Sequence, residues 1–205
     1  EYNTDRWYRP VLPAFTPGEV KIVKQWVEDG GSLFLIADHM PFGGAARDLA
    51  LAFGFNFTDG IALDTTHPGP TYFYRSEGTL SDNIITDGRN ARERVDSIAS
   101  FTGQAFSLPR DASSIMKMPA GYKLVVSDTV WVFDSKTRYT NIAGWSQAAF
   151  RTFGRGRVVV SGEAAMFTSQ LAGPLMIPAG MNSPLAKHNF QLLLNIIHWL
   201  DGLTN

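Results

Sequence analysis

The chain has 205 residues, of which 44% are hydrophobic and 18% are charged, a balance typical of a folded globular protein rather than a disordered one. The net charge of -1 gives no sign of a nucleic-acid partner, and no apolar run reaches the roughly 18 residues that a membrane span needs. The chain contains no cysteine, which excludes disulfides, thiolate metal sites and cysteine nucleophiles.

The first predicted elements are a helix and a buried strand. Thr16 and Glu19 form a capping-box pattern that begins a helix, and Gly30 ends it. The continuous apolar run over 32–37 is typical of a strand that is covered on both faces, as strands of parallel sheets are. A second helix is predicted over 45–54.

The rest of the chain predicts more strands and one more helix. Residues 58–120 form a loop-rich elaboration, and strands are predicted over 123–127 and 130–134. Residues 140–163 predict two strands joined by a Gly-Arg-Gly turn. The last helix is predicted over 183–202. The pattern predicts a single α/β domain over 1–205, a three-layer sandwich with a mostly parallel, flavodoxin-like central sheet, a β-hairpin and the insertion.

Three sequence stretches carry a likeness to a known group of proteins. WVEDGGSLFLIADH, GRGRVVVSGEAAMF and NFQLLLNIIHWLDG resemble a bacterial, uncharacterised branch of the class I glutamine amidotransferase-like superfamily, close to the ThuA-like proteins. The likeness covers 16–57 and 140–203. It implies the same fold. True amidotransferases carry a nucleophilic Cys at the strand-to-helix elbow, where this chain has Asp38 and His39, so we do not expect glutaminase activity.

The resemblance also implies that something is missing before the first helix. In these relatives a strand, a helix and another strand precede the helix that here begins after Thr16. We therefore expect a sheet that is incomplete, or that is completed by a partner molecule in a homo-oligomer or by an N-terminal companion segment. Because the chain begins with Glu1 and lacks cysteine, we expect a processed bacterial protein outside the cytoplasm, periplasmic or secreted.

Polar side chains follow both of the buried strands. Asp38 and His39 come directly after the first, and Glu163 follows the second. Because ligands of open α/β sheets bind beyond the carboxyl ends of the strands, we expect these three side chains in one pocket. They suit general acid–base catalysis, or a weakly bound divalent metal with open positions, but not a structural zinc site. The alternative is that Asp38 and Glu163 only cap their own turns.

Five further residues are candidates for the same site. Ser169 could act as a nucleophile paired with His39. Gly43 and Gly44 precede a helix and could offer N–H groups to an oxyanion, or could serve only close packing. His67 lies on a loop that could close over the site, and Met166 is a candidate ligand contact.

The aromatic residues allow two interpretations. Tyr72, Phe73, Tyr74, Trp131 and Trp145 could form a wall that binds a sugar or aryl group, or they could belong to the core. Together these patterns predict a hydrolase acting on a small ester, amide or carbohydrate-derived substrate. The alternative is a non-catalytic ligand-binding or assembly domain that keeps the fold without the cysteine.

Overall fold

The structure is a computed structural model that describes residues 7–67 and 69–204. The helices are α1 (Pro17–Glu28), α2 (Phe42–Ala45), α3 (Arg47–Ala52), α4 (Ile84–Asp87) and α5 (Asn189–Leu200). The strands are β1 (Ser32–Ile36), β2 (Ile61–Asp64), β3 (Thr71–Tyr74), β4 (Ser97–Ser100), β5 (Ser113–Lys117), β6 (Tyr122–Val126), β7 (Arg138–Asn141), β8 (Ser146–Phe153), β9 (Gly156–Ser161), β10 (Ser169–Ala172) and β11 (Ile177–Gly180). None of the helices described here is long and apolar enough to cross a membrane.

The first helix begins as its sequence predicts. The N–H of Glu19 donates to the hydroxyl oxygen of Thr16 at 3.3 Å, and the N–H of Thr16 donates to the Glu19 carboxylate at 2.8 Å. This reciprocal pair satisfies two N–H groups that the first turn leaves without helical partners. The prediction of a capped helix followed by a strand is confirmed, because β1 starts at Ser32.

A four-stranded sheet in the order β1-β9-β8-β5 positions the candidate site. Strands β1 and β9 run parallel, whereas β9, β8 and β5 are antiparallel to their neighbours. The turn between β8 and β9 passes under the end of α1, where a Cβ on Gly154 would lie 2.7 Å from the carbonyl oxygen of Glu28. A residue with φ of 59° and no room for a side chain has to be glycine.

Helices pack on both faces of this sheet. On one face α1 and α3 contribute the buried side chains of Val27 and Leu49, which belong to the same apolar cluster as Leu35 of β1. On the other face α5 contributes Ile196 and Trp199 to a second cluster. Because neighbouring residues of a strand point to opposite faces, both faces of β1 and β9 are apolar.

The predicted fold class is wrong. Only one of the strand pairs described, β1 with β9, is parallel, and the chain outside the four-stranded sheet forms small antiparallel sheets: β2-β6-β7, β3-β4 and β10-β11. The molecule is therefore not a mostly parallel, flavodoxin-like three-layer sandwich. Short apolar runs predicted parallel strands because they are buried on both faces, but helices above and below a mixed sheet bury its strands equally well.

Three element boundaries also differ from the prediction. The apolar run over 130–134 forms turns instead of a strand, with Trp131 at φ 62°. The strand that pairs with β6 is β7, which begins later, at Arg138. The last helix begins at Asn189, because turns occupy the residues after Ser183. The segment 58–120 contributes β5 to the four-stranded sheet, so it is more than an elaboration.

Candidate functional site

Asp38 lies where the two parallel strands end. One carboxylate oxygen, Oδ1, accepts the N–H of His39 at 2.7 Å and the hydroxyl of Thr102 at 3.3 Å. The other, Oδ2, accepts the N–H of Ala164 at 3.0 Å. The carboxylate thus ties the end of β1 to the residues that follow β9 and to the segment after β4.

Glu163 lies behind Asp38 and is fully buried. Its Oε2 accepts the N–H of Met166 at 2.7 Å. Burial, followed by the charge of Asp38, raises the pKa of Glu163 to about 8, although the backbone N–H groups of Met166, Phe101 and Thr102 partly oppose the shift. Glu163 is therefore protonated at neutral pH.

His39 is the third member of the group and is 8% exposed. Its Nδ1 lies 2.6 Å from the carbonyl oxygen of Met40. Because a carbonyl oxygen only accepts, we assign the ring proton of neutral His39 to Nδ1. This leaves Nε2 as the basic nitrogen, 4.0 Å from Oδ1 of Asp38. The structure therefore brings Asp38, His39 and Glu163 together at one end of β1 and β9.

A buried polar segment after β4 completes the site, and the sequence analysis missed it. Gly103 has φ 108°, and a Cβ there would lie 2.8 Å from the Cβ of Glu163. The side-chain Nε2 of Gln147, in β8, donates to the carbonyl oxygen of Thr102 at 3.0 Å. The backbone carbonyl of Gln147 accepts the N–H of Gly162 at 2.7 Å. The one sequence signal was Gln147 itself, an amide side chain inside an otherwise apolar strand.

Gly43 and Gly44 both lie in α2, a helix of four residues. A Cβ on Gly43 would lie 2.2 Å from the carbonyl oxygen of Thr58, and one on Gly44 would lie 2.7 Å from the carboxyl carbon of Asp59. Close approach of the backbone accounts for both glycines. Their role in binding an oxyanion stays a prediction.

Asp59 anchors the N-terminal segment beside the site. Its carboxylate lies 2.8 Å from the guanidinium of Arg9, and burial raises its pKa, while Arg9 and Arg47 oppose the shift. Arg9 also donates to the carbonyl oxygen of Ser127 at 3.0 Å. The segment around Arg9 is therefore held against the same end of the molecule as His39.

The other predicted site residues lie apart from Asp38 and His39. Ser169 is exposed in β10, and no contact with His39 is found among the described residues. The side chain of Met166 is buried in the apolar cluster beneath α5, so only its N–H reaches Glu163. His67 is exposed after β2, and its contacts are with Asp64 and Thr66.

Aromatic rings surround the accessible side of His39. The ring of Trp131 lies 5.2 Å from that of His39, and the rings of Trp7 and Phe42 both lie 6.4 Å away. Phe133 follows at 6.5 Å from Trp131. We call Trp7, Phe42, Trp131 and Phe133 the aromatic rim. All four side chains are between 37% and 48% exposed, so the rim offers apolar and π surface to a ligand.

The remaining aromatic candidates do not belong to the rim. Tyr72 and Tyr74 stack on each other in β3, with ring centroids 6.1 Å apart. Trp145 packs against the apolar cluster beneath α5. Of the wall predicted from the sequence, only Trp131 lies beside His39.

Across residues 7–67 and 69–204, no three His, Asp or Glu side chains are grouped closely enough to hold a metal ion. The contacts of Asp38 are N–H and hydroxyl donors, and Glu163 is protonated at neutral pH. Both features favour proton transfer over metal binding.

No family model matches the chain, and no curated protein sequence matches it. Among solved structures, the N-terminal domain of mmIFT52 aligns with a TM-score of 0.59 and 13% identity, over 91% of this chain and 72% of that domain. A β-galactosidase from Bacillus circulans sp. alkalophilus aligns at 0.48 and 13%, over 94% of this chain and 22% of the enzyme. A putative ThuA-like protein from Bacteroides uniformis aligns at 0.44 and 12%, over 92% and 66%.

These comparisons bear on the fold alone. The first alignment shows a fold shared with the N-terminal domain of mmIFT52. The structural neighbours include a putative ThuA-like protein, and neither of the two weaker alignments carries a conclusion about family or activity.

Proposed function

We propose that this chain is a hydrolase of a small ester, amide or carbohydrate-derived substrate, with His39 as general base. The observation that supports this proposal is the position of Nε2 of His39, which lies 4.0 Å from the carboxylate of Asp38 and beside the buried carboxyl group of Glu163. Burial raises the pKa of Glu163 to about 8, and carboxyl groups shifted in this way are common in acid–base sites.

In the proposed reaction, Nε2 of His39 takes a proton from water while the water oxygen attacks the substrate carbonyl carbon. The imidazolium that forms donates its Nδ1–H to the Met40 carbonyl, and the Asp38 carboxylate, 4.0 Å from Nε2, stabilises its charge. When the tetrahedral intermediate collapses, the imidazolium returns the proton to the leaving group. Only His39 touches the reacting atoms in this scheme.

Asp38 and Glu163 act as positioning residues. Because Glu163 keeps its proton, Asp38 supplies a single negative charge, which balances the imidazolium. The aromatic rim provides the contact surface for the substrate. An acyl group, or the sugar ring of a carbohydrate ester, can lie against Trp131 while the ester carbonyl faces His39.

The test is a panel of aryl esters, aryl amides and aryl glycosides with wild type and His39→Gln. We expect the variant to lose at least about 100-fold in kcat, the usual size of a general-base contribution, with an unchanged circular dichroism spectrum. His198→Gln is the matched control, because its ring lies 3.9 Å from Glu93, far along α5 from the site. A fully folded wild-type protein without activity on any of the three classes would contradict the proposal.

A second candidate function is the non-catalytic binding or assembly domain. It is favoured by the local nature of several contacts, since Asp38 accepts the N–H of its neighbour His39 and Glu163 accepts the N–H of Met166, three residues on. On this hypothesis His39→Gln destabilises the fold and changes no reaction rate. The measured thermal midpoint of the same variant separates the two functions.

A further inference from the structure

Trp131 has a backbone conformation that its side chain does not favour. It is the third residue of a turn that the N–H of Val132 closes by donating to the carbonyl oxygen of Thr129 at 3.2 Å. Its φ of 62° lies in the left-handed region, where glycine or asparagine is usual and a bulky residue is strained. Residues held in such conformations are often found at functional sites, because the surrounding structure has to compensate for the strain.

Burial of the Trp131 ring does not provide that compensation. Trp131 is 48% exposed, and its ring meets those of His39 and Phe133 at centroid distances of 5.2 and 6.5 Å. The next residue in the turn, Val132, is 55% exposed. The turn therefore presents an aromatic ring to solvent next to the proposed base, instead of packing that ring into the core.

Backbone hydrogen bonds to the N-terminal segment hold the turn in place. The carbonyl oxygen of Trp7 accepts the N–H of Val130 at 2.9 Å, and the N–H of Arg9 donates to the carbonyl oxygen of Asp128 at 2.8 Å. The same segment brings the Trp7 ring to 6.4 Å from that of His39. Two segments far apart in sequence thus hold aromatic rings around one imidazole.

Polar side chains around the aromatic rim are engaged within the protein. The guanidinium of Arg9 bonds the carboxylate of Asp59 and the carbonyl oxygen of Ser127. The hydroxyl of Ser127 donates to a backbone carbonyl oxygen at 2.7 Å, and the hydroxyl of Thr102 donates to a carboxylate oxygen of Asp38. A sugar needs hydrogen-bond partners for its hydroxyl groups, whereas an aryl group needs only apolar and π contact. The rim therefore suits an aryl group better than a sugar.

We propose that Trp131 is the specificity-determining residue of the site, and that its ring binds the aryl group of an aromatic carboxylic ester or amide. This inference rests on the proposed function and narrows its substrate class. The aryl group packs offset or edge-to-face on the Trp131 ring. Because that ring lies 5.2 Å from the ring of His39, a carbonyl attached directly to the bound aryl group lies beside the imidazole.

Binding can be measured without turnover by using a ketone, which has the carbonyl but no bond to hydrolyse. We expect 2-acetylnaphthalene to shift the imidazole NMR signals of His39 in a saturable titration. Its saturated analogue 2-acetyldecalin should bind more weakly, and methyl β-D-glucopyranoside should not bind at the same concentrations. Trp131→Gly should raise the dissociation constant of 2-acetylnaphthalene by about tenfold, because the aromatic contact is lost.

The thermal midpoint of the same variant separates a binding role from a packing role. Glycine adopts φ 62° without strain, so we expect the midpoint of Trp131→Gly to be no lower than that of wild type. The matched control is Met176→Gly, because Met176 has φ 51° and is 59% exposed in the turn between β10 and β11. This control relieves the same kind of strain and should leave the dissociation constant unchanged.

Three outcomes would overturn the inference. The first is a glucoside that binds more tightly than the ketone, and the second is a Trp131→Gly variant that binds the ketone as wild type does. The third is a midpoint that falls sharply in Trp131→Gly but not in Met176→Gly, which would make the ring a packing element.

The binding measurements remain decisive if the proposed reaction fails. Trp131-dependent binding of the ketone by a protein that hydrolyses no ester or amide would support the aryl-binding role of Trp131 and contradict the reaction alone. Hydrolysis of acetylated sugars by a protein that does not bind the ketone would contradict the aryl specificity and leave the reaction in place.

Discussion

Glu163 makes the stability of the molecule depend on pH in an unusual direction. Its pKa is about 8 in the folded chain and 4.5 in an ordinary environment, so between these values the unfolded chain has lost a proton that the folded chain keeps. Stability is therefore greatest below about pH 4.5 as far as this group is concerned, and it falls as the pH rises toward 8. Each pH unit in this window removes at most about 1.4 kcal/mol.

We predict that Glu163→Gln removes this dependence. Glutamine has the shape of the protonated carboxyl group and does not ionise, so the free energy of unfolding of the variant should change less between pH 5 and pH 8. Urea denaturation at several pH values measures the two slopes. Glu77→Gln, at an exposed position, should keep the wild-type slope, and an equal slope in wild type and Glu163→Gln would show that Glu163 is already ionised when folded.

Asp38→Asn should change the same pH dependence of stability, because it removes the negative charge of Asp38. The Asp38 carboxylate raises the pKa of Glu163, so the variant should lower that pKa and shrink the fall in stability between pH 5 and pH 8. The variant also loses charge-assisted bonds to the N–H groups of His39 and Ala164, which we expect to cost about 2 kcal/mol. Asp48→Asn, on the exposed first turn of α3, should leave the slope unchanged.

At the scale of elements, the contact of α1 with β9 depends on a glycine. A Cβ on Gly156 would lie 2.1 Å from the carbonyl oxygen of Val27 and 2.2 Å from that of Gly31. Both atoms belong to the backbone, so they cannot rotate away as a side chain can. We predict that Gly156→Ala destabilises the fold by about 3 kcal/mol or more, measured by urea denaturation, because helix and strand have to separate.

Gly18→Ala, in α1, is the matched control for Gly156→Ala in β9. Its Cβ would meet only the hydroxyl oxygen of Thr16 at 3.9 Å. Alanine restricts the unfolded chain more than glycine does, so this variant should be more stable than wild type by about 0.5 kcal/mol. If the two substitutions had equal effects, close packing at Gly156 would not be the cause.

The sequence predicts local structure well where the signal is local. Thr16 and Glu19 form a capping box that needs no distant partner, and the turn at Gly154 joins two strands that are neighbours in sequence. Strand direction in the sheet is not a local property. Val158 and Leu35 are buried in the same apolar cluster beneath α1 and α3, and their burial alone did not distinguish a mixed sheet from a parallel one.

The same distinction holds for the candidate site. Asp38 and Glu163 could be brought together by sequence reasoning because each directly follows a buried strand. Thr102 could not, because it belongs to a segment of 58–120 that has no helical or strand periodicity of its own, and Gln147 of β8 contacts that segment. Trp131 was a candidate for an aromatic ligand-binding surface, but its position beside His39 depends on a turn in which Trp131 has φ 62°. The apolar residues around Trp131 predicted a strand there instead of a turn.

At the scale of the whole molecule, the two ends of β1 decide where a label can be attached for experiments. The segment carrying Trp7 and Arg9 is held against the His39 end by the ion pair to Asp59. The end of α5 lies at the opposite end of β1, where the hydroxyl of Ser32 donates to the carbonyl oxygen of Leu200 at 2.7 Å. These ends are about 13 Å apart along the strand. A surface tether or fluorophore attached beside Trp7 therefore crowds the aromatic rim, whereas one attached beside Leu200 lies away from it. Turnover assays call for the second attachment.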